Sequence, residues 1–261
     1  YMSAPQEWTI SQGAPDLWNQ IWQHPDTKTI FCIGKDNILF HSIIFPALLL
    51  AHPKSFVLPY AITVTDFFTF EGQPFSKSKG IGIDANEALK VAPADYWRYF
   101  LLVNRPETKD FDFTWDHFIA TINHELNDII GNFIYRTLSF IYNHFHGQVP
   151  PCGQLDNDDQ ELLSSIQATA QRQAEYFTDF KIKDALTVVR SLAQAGNVYL
   201  STHEPWKKLN KDESVAATKY NVATQVVHAL TILLAPFLPS STQSIRTQLN
   251  LPLTIDDSVL T

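Results

Sequence analysis

Apolar and polar positions follow two rhythms along the chain. Up to about residue 80 the apolar residues come in short continuous runs. Thr29-Ile30-Phe31-Cys32-Ile33, closed by Gly34, has the pattern of a strand buried in a parallel sheet. Phe56 to Val64 suggests a second strand with Pro59 near its edge. Between them, Ile38 to about Leu50 reads as a helix bent or shortened at Pro46. Strand, helix and strand make one βαβ unit. Residues 1–28 carry Pro5, Gly13, Pro15 and Pro25 and read as turn and loop, apart from a short helix from Asp16 to Gln23.

From Thr114 the period changes to 3.6. Phe118, Ile122, Leu126, Ile129, Phe133, Ile134, Leu138 and Ile141 fall on one stripe, which predicts a helix of about thirty residues capped by Thr114. A second helix follows Asp156-Asn157-Asp158-Asp159. A third uses Ile182, Leu186, Val189 and Ala193 and is expected to stop at Gly196-Asn197. Pro205 sits at the start of a short helix, a long one through Val222 and Leu233 ends before Pro236, and Pro239-Ser240 begins the last. This half reads as an antiparallel helix bundle. Two short helices, Asp84 to Lys90 and Ala94 to Val103, precede it.

Composition narrows the class. Hydrophobic residues make up 45% of the 261, so a packed core is within reach and disorder is not expected. The net charge of −8 argues against a surface coated for nucleic acid but leaves room for a local basic patch. Cys32 and Cys152 lie far apart and outside any CxxC, so no zinc site and no disulfide framework are expected. A reducing compartment, the cytoplasm, is the default. No apolar run has membrane-spanning length, no signal peptide opens the chain, and no membrane partner is expected. The start, Tyr1-Met2-Ser3, reads as a boundary within a longer protein.

Two stretches have candidate chemistry. Pro74-Phe75-Ser76-Lys77-Ser78-Lys79-Gly80 joins short hydroxyls, lysines and glycine, a set that holds a polyphosphate or forms an ordinary solvated turn. Asp36 follows the first strand, where ligands sit in open α/β sheets. A carboxylate there meets a ribose or an ammonium group, or it caps the next helix, as does Asn37.

Several segments in order resemble the methionyl-tRNA synthetases, a class I family. They are Tyr1-Met2-Ser3-Ala4, the run from Phe31 to His41 (similar to "FIGKDN…FH"), and Phe75-Ser76-Lys77-Ser78 (similar to the "KMSKS" loop). The likeness continues through Arg105 to Asp110, Phe113-Thr114-Trp115, Leu126 to Arg136 and Glu204 to Lys207, and weakens after about residue 240. The resemblance implies the α/β second half of a Rossmann-like catalytic domain over 1–113, including the SKS loop and a stem-contact region. An all-α anticodon-binding helix bundle is implied over 114–261.

The function implied is that of a methionine-tRNA ligase, which activates methionine with ATP and passes it to tRNA. The implied roles are these: Lys77 stabilises charge on the leaving pyrophosphate, with Ser76, Ser78 and Asp36 also at the ATP site. Tyr1 and His41 line the methionine pocket. Asn132 and Arg136, four apart on one helix face, and a stacking Trp206 read the anticodon, beside Lys207, Lys208 and Lys211. Magnesium is expected with ATP, and zinc is not expected in this chain. Plainer readings remain for His41, as a packed helix histidine, and for Trp206, as a side chain packed between helices. Pro74 stands where the family loop has its first lysine. The "HIGH"-type motif and the first half of the nucleotide fold are not matched after Tyr1. This piece alone is therefore expected to be inactive, and a non-catalytic tRNA-binding relative is the alternative.

Overall fold

The computed structural model describes residues 1–252. The chain forms two compact units. Tyr1–Thr69 with Pro106–Asp112 make the first, and Phe70–Arg105 with the chain from Phe113 onward make the second. Residues 70–105, which the sequence places with the α/β part, thus cluster with the helices. Polar clamps explain this. Arg98 donates to the carbonyls of Pro236 (2.6 Å) and Phe237 (3.1 Å), and Arg105 donates to the Phe180 carbonyl at 3.1 Å. The buried Asp95 carboxylate accepts from the backbone N–H groups of Ser240 (3.4 Å) and Ser241 (2.6 Å).

In the first unit, α1 (Ser3–Ser11) and α2 (Leu17–Gln23) precede β1 (Thr29–Gly34). α1 occupies a stretch whose Pro5 suggests a turn. Pro5 lies in its first turn, where a missing N–H leaves no helical bond unmade. β1 pairs in parallel with β2 (Pro59–Thr65), Thr29 opposite Pro59, so the proline sits at the strand's first position. The crossover is helical, but it widens into a π-helix at Phe40–Ile44 before α3 (Phe45–Ala51). Pro46 opens α3 and cannot supply the regular ladder bond, so the turns before it loosen. β1 is not buried on both faces as expected: Ile30 and Cys32 are exposed, and β1 and β2 form a sheet of two strands. Three further short strands are β3 (Phe68–Phe70), β4 (Gln73–Pro74) and β5 (Phe111–Phe113).

The second unit begins with α4 (Ala85–Val91), capped by Asp84, and α5 (Ala94–Val103). The long helix is present, with Thr114 accepting from the His117 N–H as its cap. It has three parts: α6 (Trp115–Thr121), a π-helical stretch Ile122–Gly131, and α7 (Asn132–His144). Wider turns rotate less per residue, so the inward position drifts: Ile130 and Thr137 are buried where the 3.6 period points to Ile129 and Leu138.

α8 (Asn157–Thr178) starts from a capping box between Asp156 and Asp159. α9 (Ile182–His203) does not stop at Gly196 but runs on to His203. A Cβ at Gly196 would lie 2.5 Å from the Phe133 ring, so this glycine admits a neighbouring helix rather than ending its own. α10 (Pro205–Lys208), α11 (Glu213–Leu233) and α12 (Pro239–Gln248) complete the unit. Its core contains wholly buried Leu186, Val189, Leu200, Val222, Val226 and Leu230, each contributing about 1.5–3 kcal/mol. Two buried cations, Lys219 and Arg246, lie inside it. Lys219 is 3% exposed, with Nζ 2.5 Å from Asp156 and 2.7 Å from Asp159, and the Tyr199 hydroxyl donates to Asp159.

Candidate functional site

The first unit brings Tyr1 and His41 together. Their rings lie 5.1 Å apart, and Phe31 and Phe45 pack edge-on against Tyr1 at 5.5 and 6.0 Å. His41 is buried, its Nδ1 2.9 Å from the Asn37 carbonyl and its Nε2 2.7 Å from the Tyr1 hydroxyl. A carbonyl only accepts, so Nδ1 carries a hydrogen, and Nε2 pairs with the Tyr1 hydroxyl. Both ring nitrogens of His41 are thus satisfied. Tyr1 stays 68% exposed, which leaves its ring open to an apolar ligand group.

Asp36 lies in a 3-10 turn, Lys35–Asn37, at the carboxyl end of β1, and is exposed. It caps no helix. Its carboxylate accepts from the Asn37 amide at 3.2 Å and folds back over Gly34, where a Cβ would come within 2.8 Å of it. The neighbouring Lys35 has a role the sequence does not reveal. It bonds Asp110 at 2.6 Å and Asp66 at 3.4 Å, and its ammonium lies 4.6 Å above the Phe67 ring. The hydrogen bond between Lys35 and Asp110 raises the lysine's pKa and lowers the aspartate's. The only sequence signal is that both ends fall in segments carrying the family resemblance.

In the second unit, Ser76, Lys77 and Ser78 form a closed loop. Ser76 and Ile81 exchange two backbone bonds of 3.0 Å, and a 3-10 turn, Lys77–Lys79, fills the loop. Gly80 closes it with φ +66°, a conformation that glycine adopts freely. The two serine hydroxyls lie 3.3 Å apart. Neither Lys77 nor Lys79 has an ion-pair partner among the described residues, so both ammoniums are available to an anion. An open recess of about 410 Å³ lies beside the loop, lined by Phe75, Ser76, Lys77, Gly80 and Asp84 among others. Pro74 ends β4, just ahead of the loop.

The same unit assembles Asn132, Arg136 and Trp206. Asn132 and Arg136 stand one turn apart on α7. Glu204, in the left-handed region with φ +43°, turns the chain sharply from α9 into α10 and carries Trp206 to Arg136. The guanidinium lies 5.3 Å from the indole centre, a cation–π contact. Trp206 keeps 37% of its surface exposed, so it is not a side chain sealed between helices. Lys207 is held by Glu204 at 2.7 Å.

Beneath these residues lies Asn197, which the sequence reading treats as the end of a helix. Its Oδ1 accepts from Asn132 Nδ2 (3.3 Å) and Arg136 Nη1 (3.5 Å), while Ser201 accepts from both Arg136 terminal nitrogens at 3.4 Å. A signal was available: the apolar period of α9 continues past Gly196 through Tyr199 and Leu200.

Comparison with known proteins agrees with both parts. A family model described as "tRNA synthetases class I (M)" matches residues 1–138, and one described as "Anticodon binding domain of methionyl tRNA ligase" matches 149–257. The methionine–tRNA ligase of Thermofilum pendens is 41% identical over 93% of this chain and 42% of its own length. That of Pyrococcus furiosus is 41% identical over 96% of this chain and 36% of its own. The chain thus spans less than half the length of these curated relatives. Among solved structures, Mycobacterium tuberculosis methionyl-tRNA synthetase in complex with methionyl-adenylate superposes with a TM-score of 0.79. It is 28% identical, covering 88% of this chain and 48% of that one.

Proposed function

The chain belongs to the tRNA synthetases class I (M), and on that premise we propose that it is the part of a methionine-tRNA ligase that holds the ATP loop and reads the anticodon. The unpaired Lys77 ammonium in its closed serine loop is the observation that carries the catalytic side. Activation of methionine is an in-line attack of its carboxylate on the α-phosphate of ATP. It needs positioned charge rather than a protein nucleophile. Lys77 neutralises the charge that develops on the departing pyrophosphate, and Ser76 and Ser78 offer hydroxyls to its oxygens.

Tyr1 and His41 receive the methionine side chain. With both His41 nitrogens and the Tyr1 hydroxyl engaged, the pocket presents aromatic rings, which suits a thioether. Asp36 faces the ribose or the amino group. Among the described residues no three His, Cys, Asp or Glu side chains cluster to hold a metal ion. Mg²⁺ is commonly held by substrate phosphates with few protein oxygens, so it would arrive with the nucleotide. Asn132, Arg136 and Trp206 meet unstacked anticodon bases by hydrogen bonds and stacking.

In the intact protein, Lys77→Ala is expected to slow methionine-dependent ATP–pyrophosphate exchange by on the order of 10²-fold, with tRNA affinity unchanged. An unchanged exchange rate would remove the catalytic assignment. Pro74, in place of a phosphate-facing lysine, favours a second reading, a non-catalytic tRNA-binding relative. That reading is selected if the intact protein binds tRNA but shows no exchange.

A further inference from the structure

We infer that Lys35 is a positioning residue for Asp36. Held between two carboxylates, it ties the turn that carries Asp36 to the end of β2 and to the returning segment 106–112. It thereby sets where the Asp36 carboxylate meets its substrate. The inference rests on the reading of Asp36 as a substrate-facing group. Among the described residues the Asp36 carboxylate accepts only from the amide of Asn37, which lies in the same 3-10 turn. That bond fixes the carboxylate within the turn but does not fix the turn to the sheet. Gly34, just ahead of it, has no side chain to brace the turn and leaves room for the carboxylate to fold back. The placement of Asp36 therefore depends on what its two neighbours, Lys35 and Asn37, hold on to outside the turn.

Asn37 is held from the helix that follows, by His41 Nδ1 at 2.9 Å from its carbonyl. Lys35 makes the contacts toward the sheet. Its ammonium lies 2.6 Å from Asp110, 3.4 Å from Asp66 and 4.6 Å from the centre of the Phe67 ring. These partners are themselves tied down. Asp110 also accepts from the Phe67 N–H at 2.9 Å, and the Asp66 N–H donates to the Pro106 carbonyl at 2.7 Å. The Phe111 N–H donates to the Phe67 carbonyl at 2.9 Å. The lysine thus joins the end of β1 to two segments, 66–67 and 106–111, that already brace each other.

A lysine beside a nucleotide site invites assignment to a phosphate. Here the ammonium is already engaged by two carboxylates and a ring face, and its hydrogen bond to Asp110 moves the pKa of both partners toward the charged pair. Lys77, which has no ion-pair partner among the described residues, is the contrasting case. Ion pairs as exposed as those of Lys35 add little to stability. What they supply is orientation, and misplacing a binding group by about 1 Å costs up to about 10²-fold.

The test measures, by calorimetry on the intact protein, the Kd for methionine and the Kd for ATP separately. Asp36→Asn is expected to weaken the one substrate that the carboxylate meets. Lys35→Met keeps a long side chain without the charge. It is expected to weaken that same substrate by about tenfold and to leave the other nearly unchanged, with a melting temperature close to that of the unaltered protein. Lys35→Arg can reach both carboxylates and should restore most of the affinity. Asp110→Asn keeps an acceptor for the Phe67 N–H and should weaken the same substrate by a smaller factor. If Lys35 met a phosphate directly, Asp110→Asn would release it and tighten ATP, and that result overturns the inference. So does a Lys35→Met protein that binds both substrates normally while Asp36→Asn weakens one. If Asp36→Asn leaves both affinities unchanged, the reading of Asp36 falls and the inference falls with it.

Discussion

The two units differ in how deeply they are built. The helical unit surrounds its candidate residues with wholly buried aliphatics, such as Leu186, Val189, Leu200 and Leu230. The first unit has a sheet of two strands and leaves Ile30, Phe40, Leu48 and Tyr60 exposed. Its candidate residues, Tyr1 and His41, therefore support each other directly, hydroxyl to ring nitrogen. In the helical unit Asn132 and Arg136 share a third, buried residue, Asn197. A deep scaffold can bury the side chain that orients its candidate residues, whereas a shallow one relies on contacts near the surface.

Three changes test this contrast, from the largest effect to the smallest. Lys219→Met attacks the deep unit where it is most vulnerable, because it leaves the Asp159 carboxylate buried without its cation. A loss of about 3–5 kcal/mol is expected in urea unfolding, and a near-neutral result would mean that the ion cluster is better solvated than its 3% exposure implies. Tyr1→Phe attacks the shallow unit. It strips the hydroxyl partner from buried His41, at a cost of about 1–3 kcal/mol. If the pair lines the proposed methionine pocket, the KM of the intact protein for methionine should rise while kcat changes little. If stability falls and KM does not move, the contact is structural alone.

Asp156→Asn has the mildest effect and shows in pH dependence. The hydrogen bond from Lys219 holds the Asp156 carboxyl down at about 2. A depressed carboxylate stabilises the fold above its unfolded pKa and loses that contribution as pH falls toward the folded value. The unaltered bundle should therefore weaken between about pH 4 and pH 2, and Asp156→Asn should flatten that limb of the urea midpoint. Asp156 is half exposed, so the change in slope will be small.

Much of the fold was legible where a local cause is written in a local residue. The cap at Thr114, the helix start at Pro205 and the parallel pairing of Thr29 to Ile33 with the second strand all follow from nearby side chains. α1 was not legible, since Pro5 gives the same signal in a first helical turn as in a loop. The π-helical stretch left no mark in a 3.6 period except a drift by one residue, from Ile129 to Ile130. Gly196 misled because a glycine that ends a helix and one that admits a neighbour look alike without Phe133 in view. For the candidate site, residues in resembling segments were named at once. Asn197 and Lys35 bond to other side chains far away in the sequence, and only three-dimensional proximity reveals them.

The grouping of residues 70–105 with the helices bears on any attempt to dissect the molecule. The chain passes between the units at 69/70, 105/106 and 112/113, so no single cut releases either one whole. A bundle expressed from Thr114 onward would lack Asp95 and Arg98. The N–H groups of Ser240 and Ser241 would lose their carboxylate, and the carbonyls of Pro236 and Phe237 their guanidinium. A deletion series that treats the anticodon half as a separable module would therefore measure a damaged α12, and a tRNA-binding fragment is better begun at Phe70.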